Sequence, residues 1–430
     1  MLNTFTRSLL CTTVSAFTTF HPAMSQELPT YKEYVKKNIP VKKEIDMFLS
    51  DDLKWAKFDP VVGYTLATFM PHDGLDNSAT ISTVGANGAR TSYMYANKPC
   101  RINTYGNSFT QCHQVSDGET WQEYLAANLG EPIRNFGMGG HGFYQAYRRM
   151  IREEKSKLAG EYVMMYIFGD DNIRSLMRCR YMSVRDWMDT MTIREGLGKM
   201  FHNNFWANLE MNLETGQIEE KPNRIPVAKD LYKMTDPDWM YKNLEDDLAL
   251  QLQLFTQDKT RDMNMQKMNR LAEILKQPLT GLSHDDLQKS STLLLNKYSA
   301  AAAKYVLKKS REFAEANNKK LMIILFDPGM MFNMAAGEKR SDQEVVDFLE
   351  AEKFNYFDMN LVHIEDYNKN FKISFEEYWK RFAIGHYSPA GNHFFAFSIK
   401  PKVVEWLNPK PITYSDPTEQ MINFKDYLQK

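Results

Sequence analysis

Tyr162-Val163-Met164-Met165-Tyr166-Ile167-Phe168 is a continuous apolar run with no polar alternation. Such a run predicts a strand buried on both faces, hence a central strand of a parallel sheet covered by helices. Working outward, residues 100–105 read as a strand running straight into Gly106-Asn107-Ser108. Asp117-Gly118 then opens a helix with Trp121, Tyr124, Leu125 and Leu129 at helical spacing, stopped by Gly130. Residues 133–136 read as a second short strand, ended by Gly137, Gly139, Gly140 and Gly142, and a further helix leads into the apolar run. Strand, helix, strand, helix, strand predicts an α/β fold with a mostly parallel sheet.

The alternation lapses between about 174 and 319. Residues 205–213 and 218–220 flank Glu214-Thr215-Gly216-Gln217, which predicts a hairpin, and Asp236-Pro237 is a good helix start. Long helical patterns fill about 238–276 and 285–316, so this stretch reads as a helical insertion beside the core. The rhythm resumes at 321–326 (LMIILF) and 354–357, and a last helix follows Pro389. The organisation expected is a signal peptide (1–25), an N-terminal arm with a β-rich segment (26–99), core (100–173), insertion (174–319), core (320–408) and a C-terminal tail (409–430). Within the arm, residues 26–58 are rich in Lys and Glu and read as exposed helix, and 81–93 as short strands broken by turns.

The 430 residues carry 53 Lys+Arg against 54 Asp+Glu, a formal net charge of -1, with 43% hydrophobic and 25% charged residues. That composition excludes collagen-like, coiled-coil and wholly disordered chains. The even charge balance leaves no footprint for nucleic acid, and a mean hydropathy of -0.51 excludes a multi-span membrane protein. The oligomeric state stays open. Arg7, the mostly apolar stretch 8–20 and Ala23-Met24-Ser25 form the three parts of an export signal, too short to span a bilayer. Secretion or a periplasmic location is therefore expected, with no membrane span after cleavage. Cleavage before Gln26 leaves Cys100, Cys112 and Cys179, an odd number without a CxxC pair, and no metal or cofactor site is expected.

Ser108 follows a predicted strand and precedes a helix, a position that lifts a hydroxyl to the carboxyl edge of a parallel sheet. Taken alone it also fits a turn cap. His386 sits in Gly385-His386-Tyr387-Ser388-Pro389, a loop before the last helix that is able to reach the same edge. The glycine turn after Asn135 and the acidic turn Gly169-Asp170-Asp171-Asn172 each end a predicted strand. Backbone N–H groups at Gly140 and Ser108, with a side-chain amide, suit a developing oxyanion.

Four strand-end turns in this order make one pattern. The chain resembles the SGNH (GDSL-type) hydrolase superfamily through Arg101-Ile102-Asn103-Thr104-Tyr105-Gly106-Asn107-Ser108-Phe109-Thr110, Asn135-Phe136-Gly137-Met138-Gly139-Gly140-His141-Gly142, Gly169-Asp170-Asp171 and the GHYSPAGNHFFA segment at 385–396. The resemblance covers about 59–172 and 320–408. It implies a three-layer α/β/α sandwich, a nucleophile at Ser108, an oxyanion donor at Gly140 and a general base at His386. Asn107, His141, Asp170 and Asn172 are the further candidates for contact with the oxyanion or substrate. The implied chemistry is ester hydrolysis, most simply deacetylation of a carbohydrate or other small-molecule or polysaccharide ester. An O-acetyltransferase using the same residues, or a non-catalytic glycan-binding relative, is the alternative.

Three positions depart from that pattern. Asn107 replaces the usual Asp beside the nucleophile. Asp170 stands where the third block has Asn, and a carboxylate beside an oxyanion repels it, although Asn172 is two residues away. Ala383 and Ile384 occupy the places of the acid before the base. The Nδ1 atom of His386 is therefore expected to face either a carboxylate from elsewhere, with Glu376 and Glu377 nearby in sequence, or a backbone carbonyl; a Ser–His dyad without an acid is the remaining alternative.

Overall fold

In the computed structural model, residues 27–51, 54–186 and 202–415 are described. The export-signal pattern and the tail beyond 415 lie outside them. The apolar run forms the central strand as its composition demands. The parallel sheet has five strands: β1 (Ile102–Tyr105), β2 (Ile133–Asn135), β3 (Tyr162–Ile167), β4 (Lys320–Leu325) and β5 (Tyr356–Asp358), in the spatial order β2-β1-β3-β4-β5. Tyr162 pairs with Ile102 on one side and Lys320 on the other, and the register continues to Ile167 opposite Leu325.

Period-two alternation divides β3 between two cores. Tyr162, Met164 and Tyr166 join Met322 and Ile324 on one face, under the helices Trp121–Leu129 and Pro389–Trp406. Val163, Met165 and Ile167 join Ile323 and Leu325 on the other, under the helices Phe143–Glu153, His284–Ala316 and Gln343–Ala351. The result is mixed α/β with helices on both faces of a parallel sheet. The order reverses between β1 and β3, and in such sheets the crevice at the carboxyl ends of the strands flanking the reversal is where ligands bind. Ser108 follows β1 and Asp170 follows β3, so both lie at that reversal.

The insertion contains the expected hairpin, Asn208–Met211 with Ile218–Lys221, turning at Gly216. Its helical portion includes Pro237–Leu244, Leu248–Thr256, Met265–Leu275 and the 33-residue His284–Ala316. Their apolar faces share one core with the sheet, so the insertion is continuous with the α/β body rather than set apart from it.

Two expectations need correction. The charge-rich arm is not exposed. Its helices Tyr31–Lys37 and Lys42–Leu49 bury Tyr31, Tyr34, Val35, Ile45 and Phe48, and the Tyr31 hydroxyl donates to the Leu244 carbonyl of the insertion. The β-rich segment holds one hairpin, Ala56–Asp59 with Gly63–Leu66, and beyond it only isolated bridges such as Phe69 with Ser82 and Arg90 with Asn135. Side chains organise this stretch in place of a ladder. Buried Arg90 donates to Asp117 (2.7 Å) and to the carbonyls of Gln111 (2.7 Å), Cys112 (2.6 Å) and Val115. Cys100, Cys112 and Cys179 are free thiols. Among the described residues no helix is long and apolar enough to cross a membrane, and no cluster of His, Cys, Asp and Glu is arranged to hold a metal ion.

Candidate active site

Ser108 opens a single helical turn, Ser108–Gln111, directly after β1. Asn107 caps that turn, its Oδ1 accepting from Phe109 N (2.8 Å), while its Nδ2 donates to Asp171 Oδ2 (2.6 Å). Both ends of the Asn107 amide are thus engaged and the side chain is buried, so it holds the turn and does not face a ligand. The helix stops at Cys112 in the left-handed region (φ 60°), and Gln114 repeats that conformation (φ 72°). The chain doubles back, and Gln114 comes to lie against the loop that carries His386.

Ser108 Oγ lies 2.7 Å from His386 Nε2. The tautomer follows from the partners of Gln114. Gln114 Oε1 accepts the backbone N–H of His386 (2.8 Å), and Gln114 Nε2 donates to the carbonyls of Asp73 (3.0 Å) and Ile384 (3.2 Å). With its amide oriented this way, the 3.0 Å contact between Gln114 Oε1 and His386 Nδ1 requires the proton on Nδ1. Nε2 then carries the lone pair and accepts from the Ser108 hydroxyl. Nδ1 therefore faces a side-chain amide, neither the carboxylate nor the backbone carbonyl that the sequence suggested. Glu376 pairs with Lys380 and Glu377 caps its own helix at Ser374.

A neutral amide orients the ring without compensating its charge. Burial pushes His386 down to about 3, the neighbouring His113 adding to the shift and Asp73 opposing it. The ring packs against Phe109 (4.9 Å between centroids) and edge-on to His113 (5.1 Å). His113 Nε2 is 3.1 Å from Asp73 Oδ2, and Thr80 donates to the other carboxylate oxygen. Burial works against the Asp73 charge, yet the contacts with His113 and Thr80 hold the carboxyl below its ordinary value.

The glycine turn packs against the helical turn that Ser108 opens because Gly137 lacks a side chain. A Cβ there would strike the backbone at Thr110 and Gln111. Around this turn, Gly137 N–H donates to Asn135 Oδ1, Met138 to the Gly106 carbonyl, Gly139 to Gln111 Oε1, His141 to the Met138 carbonyl and Gly142 to Gln145 Oε1. Gly140, at φ +79°, is the member of 137–142 whose N–H has no partner among the described residues. The Ser108 N–H, at the first position of its helix, also lacks one among them. Unengaged donors at Ser108 and on the turn that packs against its helix are of the kind a developing oxyanion uses.

No known family model matches this chain, and no curated protein is found similar to it. Function therefore rests on the geometry.

The other sequence-derived candidates sit as follows. The Asp170 carboxylate is bound by Arg174 (2.7 Å), which offsets its charge near the site. Arg174 also reaches Asp171 (3.1 Å), a carboxyl that burial pushes up to about 8 against the pull of Arg174. Asn172 is buried, and its Oδ1 has no partner among the described residues. His141 faces inward, its Nε2 3.0 Å from the Tyr64 carbonyl, and burial pushes it down to about 3. Sequence reasoning missed Gln114, Asp73 and the group over the glycine turn, where Trp55 packs on Gly139, and Arg180 and Tyr64 on Gly140.

Proposed function

We propose that the protein is an SGNH-type serine esterase, exported and acting on an ester-substituted carbohydrate. The observation that carries the reading is the 2.7 Å contact between Ser108 Oγ and the unprotonated Nε2 of His386, supported by unengaged N–H groups at Ser108 and Gly140. Ser108 Oγ attacks the ester carbonyl as its proton passes to Nε2, and the carbonyl oxygen becomes an oxyanion between the N–H groups of Ser108 and Gly140. Collapse of the intermediate breaks the C–O bond to the alcohol, which takes the proton from the imidazolium and leaves an acyl group on Ser108. Water repeats the sequence, releasing the acid and restoring the hydroxyl.

The reading favours slow turnover with activated esters, because the imidazolium forms without a facing carboxylate. In a serine protease with a Ser-His-Asp triad, replacing the acid by its amide lowers the rate about 10⁴-fold, chiefly through the wrong tautomer. Here the amide supports the right tautomer, so only the charge compensation is missing. The test is acetate release from 4-nitrophenyl acetate by wild type and by Ser108→Ala. Release abolished by the substitution supports the esterase. Release that survives in Ser108→Ala, or is absent from wild type, favours the glycan-binding alternative, for which the missing carboxylate speaks. Acetyl transfer to an added sugar at the expense of free acetate would assign the O-acetyltransferase.

A further inference from the structure

Among the described arginines around the glycine turn, Arg180 is partly exposed and has no paired carboxylate. Arg174 is held by two carboxylates and Arg178 by Glu210 and Asp246. Arg149 is buried but donates to the carbonyls of Phe136 and Gly88. Arg180 reaches Asn203 Oδ1 at 3.4 Å and the Tyr64 hydroxyl, and no carboxylate among the described residues pairs with it. Burial and the like charge of Arg174 push the guanidinium down to about 10, while Tyr64 and the more distant Asp170 carboxylate oppose that shift without pairing with it. A guanidinium has five N–H donors in a planar fork and stays charged at neutral pH. Holding one half-buried without a paired anion costs stability, which an anionic ligand would recover.

The position is specific. A Cβ on Gly140 would collide with Arg180 Nη1 and with the Tyr64 hydroxyl, so the fork lies directly against the residue that offers its N–H to the oxyanion. None of the Arg180 nitrogens is a sealed, unpartnered atom, and the side chain keeps partial exposure, so the fork is reachable. Tyr64 and Asn203 flank it, with Asn203 Oδ1 3.3 Å from the Tyr64 hydroxyl, and they fix its plane while leaving donors over.

We infer that Arg180 binds an acidic group on the substrate, so that the preferred esters are those of a sugar bearing a carboxylate or phosphate near the acylated hydroxyl. This rests on the esterase reading for its chemistry, but the acidic site itself is independent of turnover. Arg174 is unsuited to the role because Asp170 and Asp171 already occupy it. The fork pairs in parallel with two oxygens of the anion, which places the ester by a fixed geometry and not by charge alone.

The experiment compares acetyl esters of glucuronic acid, glucose 6-phosphate and glucose. Wild type is expected to favour one or both acidic esters over the neutral one by about ten- to a hundred-fold in kcat/KM, through KM. In Arg180→Gln that ratio falls to about one, and Arg180→Lys, a point charge without the fork, retains part of it. The acidic ester that is preferred identifies the anion. A ratio near one in wild type, or a ratio unchanged in Arg180→Gln, overturns the inference. A proportional loss on acidic and neutral esters alike also overturns it, making Arg180 a partner of the oxyanion. Calorimetric binding of free glucuronate and glucose 6-phosphate to Ser108→Ala, with and without Arg180→Gln, separates the two readings. If the esterase reading fails, Arg180-dependent binding of the anion still upholds the site, and its absence sinks the site whatever the turnover.

Discussion

Replacing Gln114 by Glu keeps the length of the side chain and changes only the charge and one donor. On the His386 side, Oε1 still accepts from the backbone N–H and from Nδ1–H, now as part of a carboxylate. Hydrogen bonds to a charged group contribute about 1.5–3 kcal/mol against about 0.5–1.5 for neutral pairs, so the imidazolium formed in the transition state gains about 1 kcal/mol or slightly more. That is close to ten-fold in rate. On the other side, the Nε2 donor is lost. The carbonyls of Asp73 and Ile384, 3.0 and 3.2 Å away, then face a carboxylate oxygen. Two hydrogen bonds at about 1 kcal/mol each, plus the repulsion, lower stability by about 2–4 kcal/mol. Gln114→Glu is therefore expected to be faster per folded molecule and less stable. The carboxylate raises the His386 pKa, so the acidic limb of the kcat/KM profile moves upward. The assay is 4-nitrophenyl acetate hydrolysis from pH 4 to 8, with a urea titration of the same protein. A variant as stable as wild type, or one whose pH profile superimposes on it, would refute Gln114 as the acceptor from Nδ1.

In wild type the base must be unprotonated, and His386 is pushed down to about 3, so kcat/KM at pH 5 should hold near its pH 7 value. An ordinary histidine would retain only about 4% of the pH 7 value there; a limb centred near 6.5 would show that the ring is not desolvated. Gly140→Ala places a Cβ against Arg180 and Tyr64 at φ +79°, and the displaced N–H should lower kcat by about 10²-fold or more, read by the same esterase assay. Arg90→Met removes the counter-charge of buried Asp117 and a donor to the Gln111, Cys112 and Val115 carbonyls, and should destabilise by about 3–5 kcal/mol, measured by urea unfolding.

The sheet was legible in the sequence because each strand is a local signal: the unbroken run at 162–167, the short apolar stretches before glycine turns, and Gly130 as a helix stop. The approach of Ser108 to His386 was legible for a related reason, since one follows a strand that opens on the carboxyl edge and the other lies in the loop before the last helix. Gln114 was not. It is a neutral amide with no chemical signature, and it reaches His386 only because Cys112 and Gln114 both adopt left-handed backbone, which their side chains do not announce. Asp73 and Arg180 come from outside the α/β rhythm, so nothing local ties them to Ser108. The arm was misread through its charge. Tyr31, Tyr34 and Val35, and then Ile45 and Phe48, keep the i, i+3, i+4 spacing of a buried stripe, and the lysines around them dominated the average.

The Arg90 clamp makes competence for chemistry a matter of local cohesion. The guanidinium comes from the segment that precedes the α/β body, yet it binds the carbonyls on both sides of His113 and Gln114, and Asp73 from the same segment receives the Gln114 amide. Should that segment detach while the sheet stays intact, the nucleophile and base remain in the chain but lose the group that keeps the proton on Nδ1. The fraction of molecules able to react then equals the fraction in which this segment is docked, an equilibrium of its own with a free energy below that of global unfolding. Activity should thus fade at lower urea than the sheet, and a cut in the exposed stretch 75–79 would silence the protein without unfolding its core.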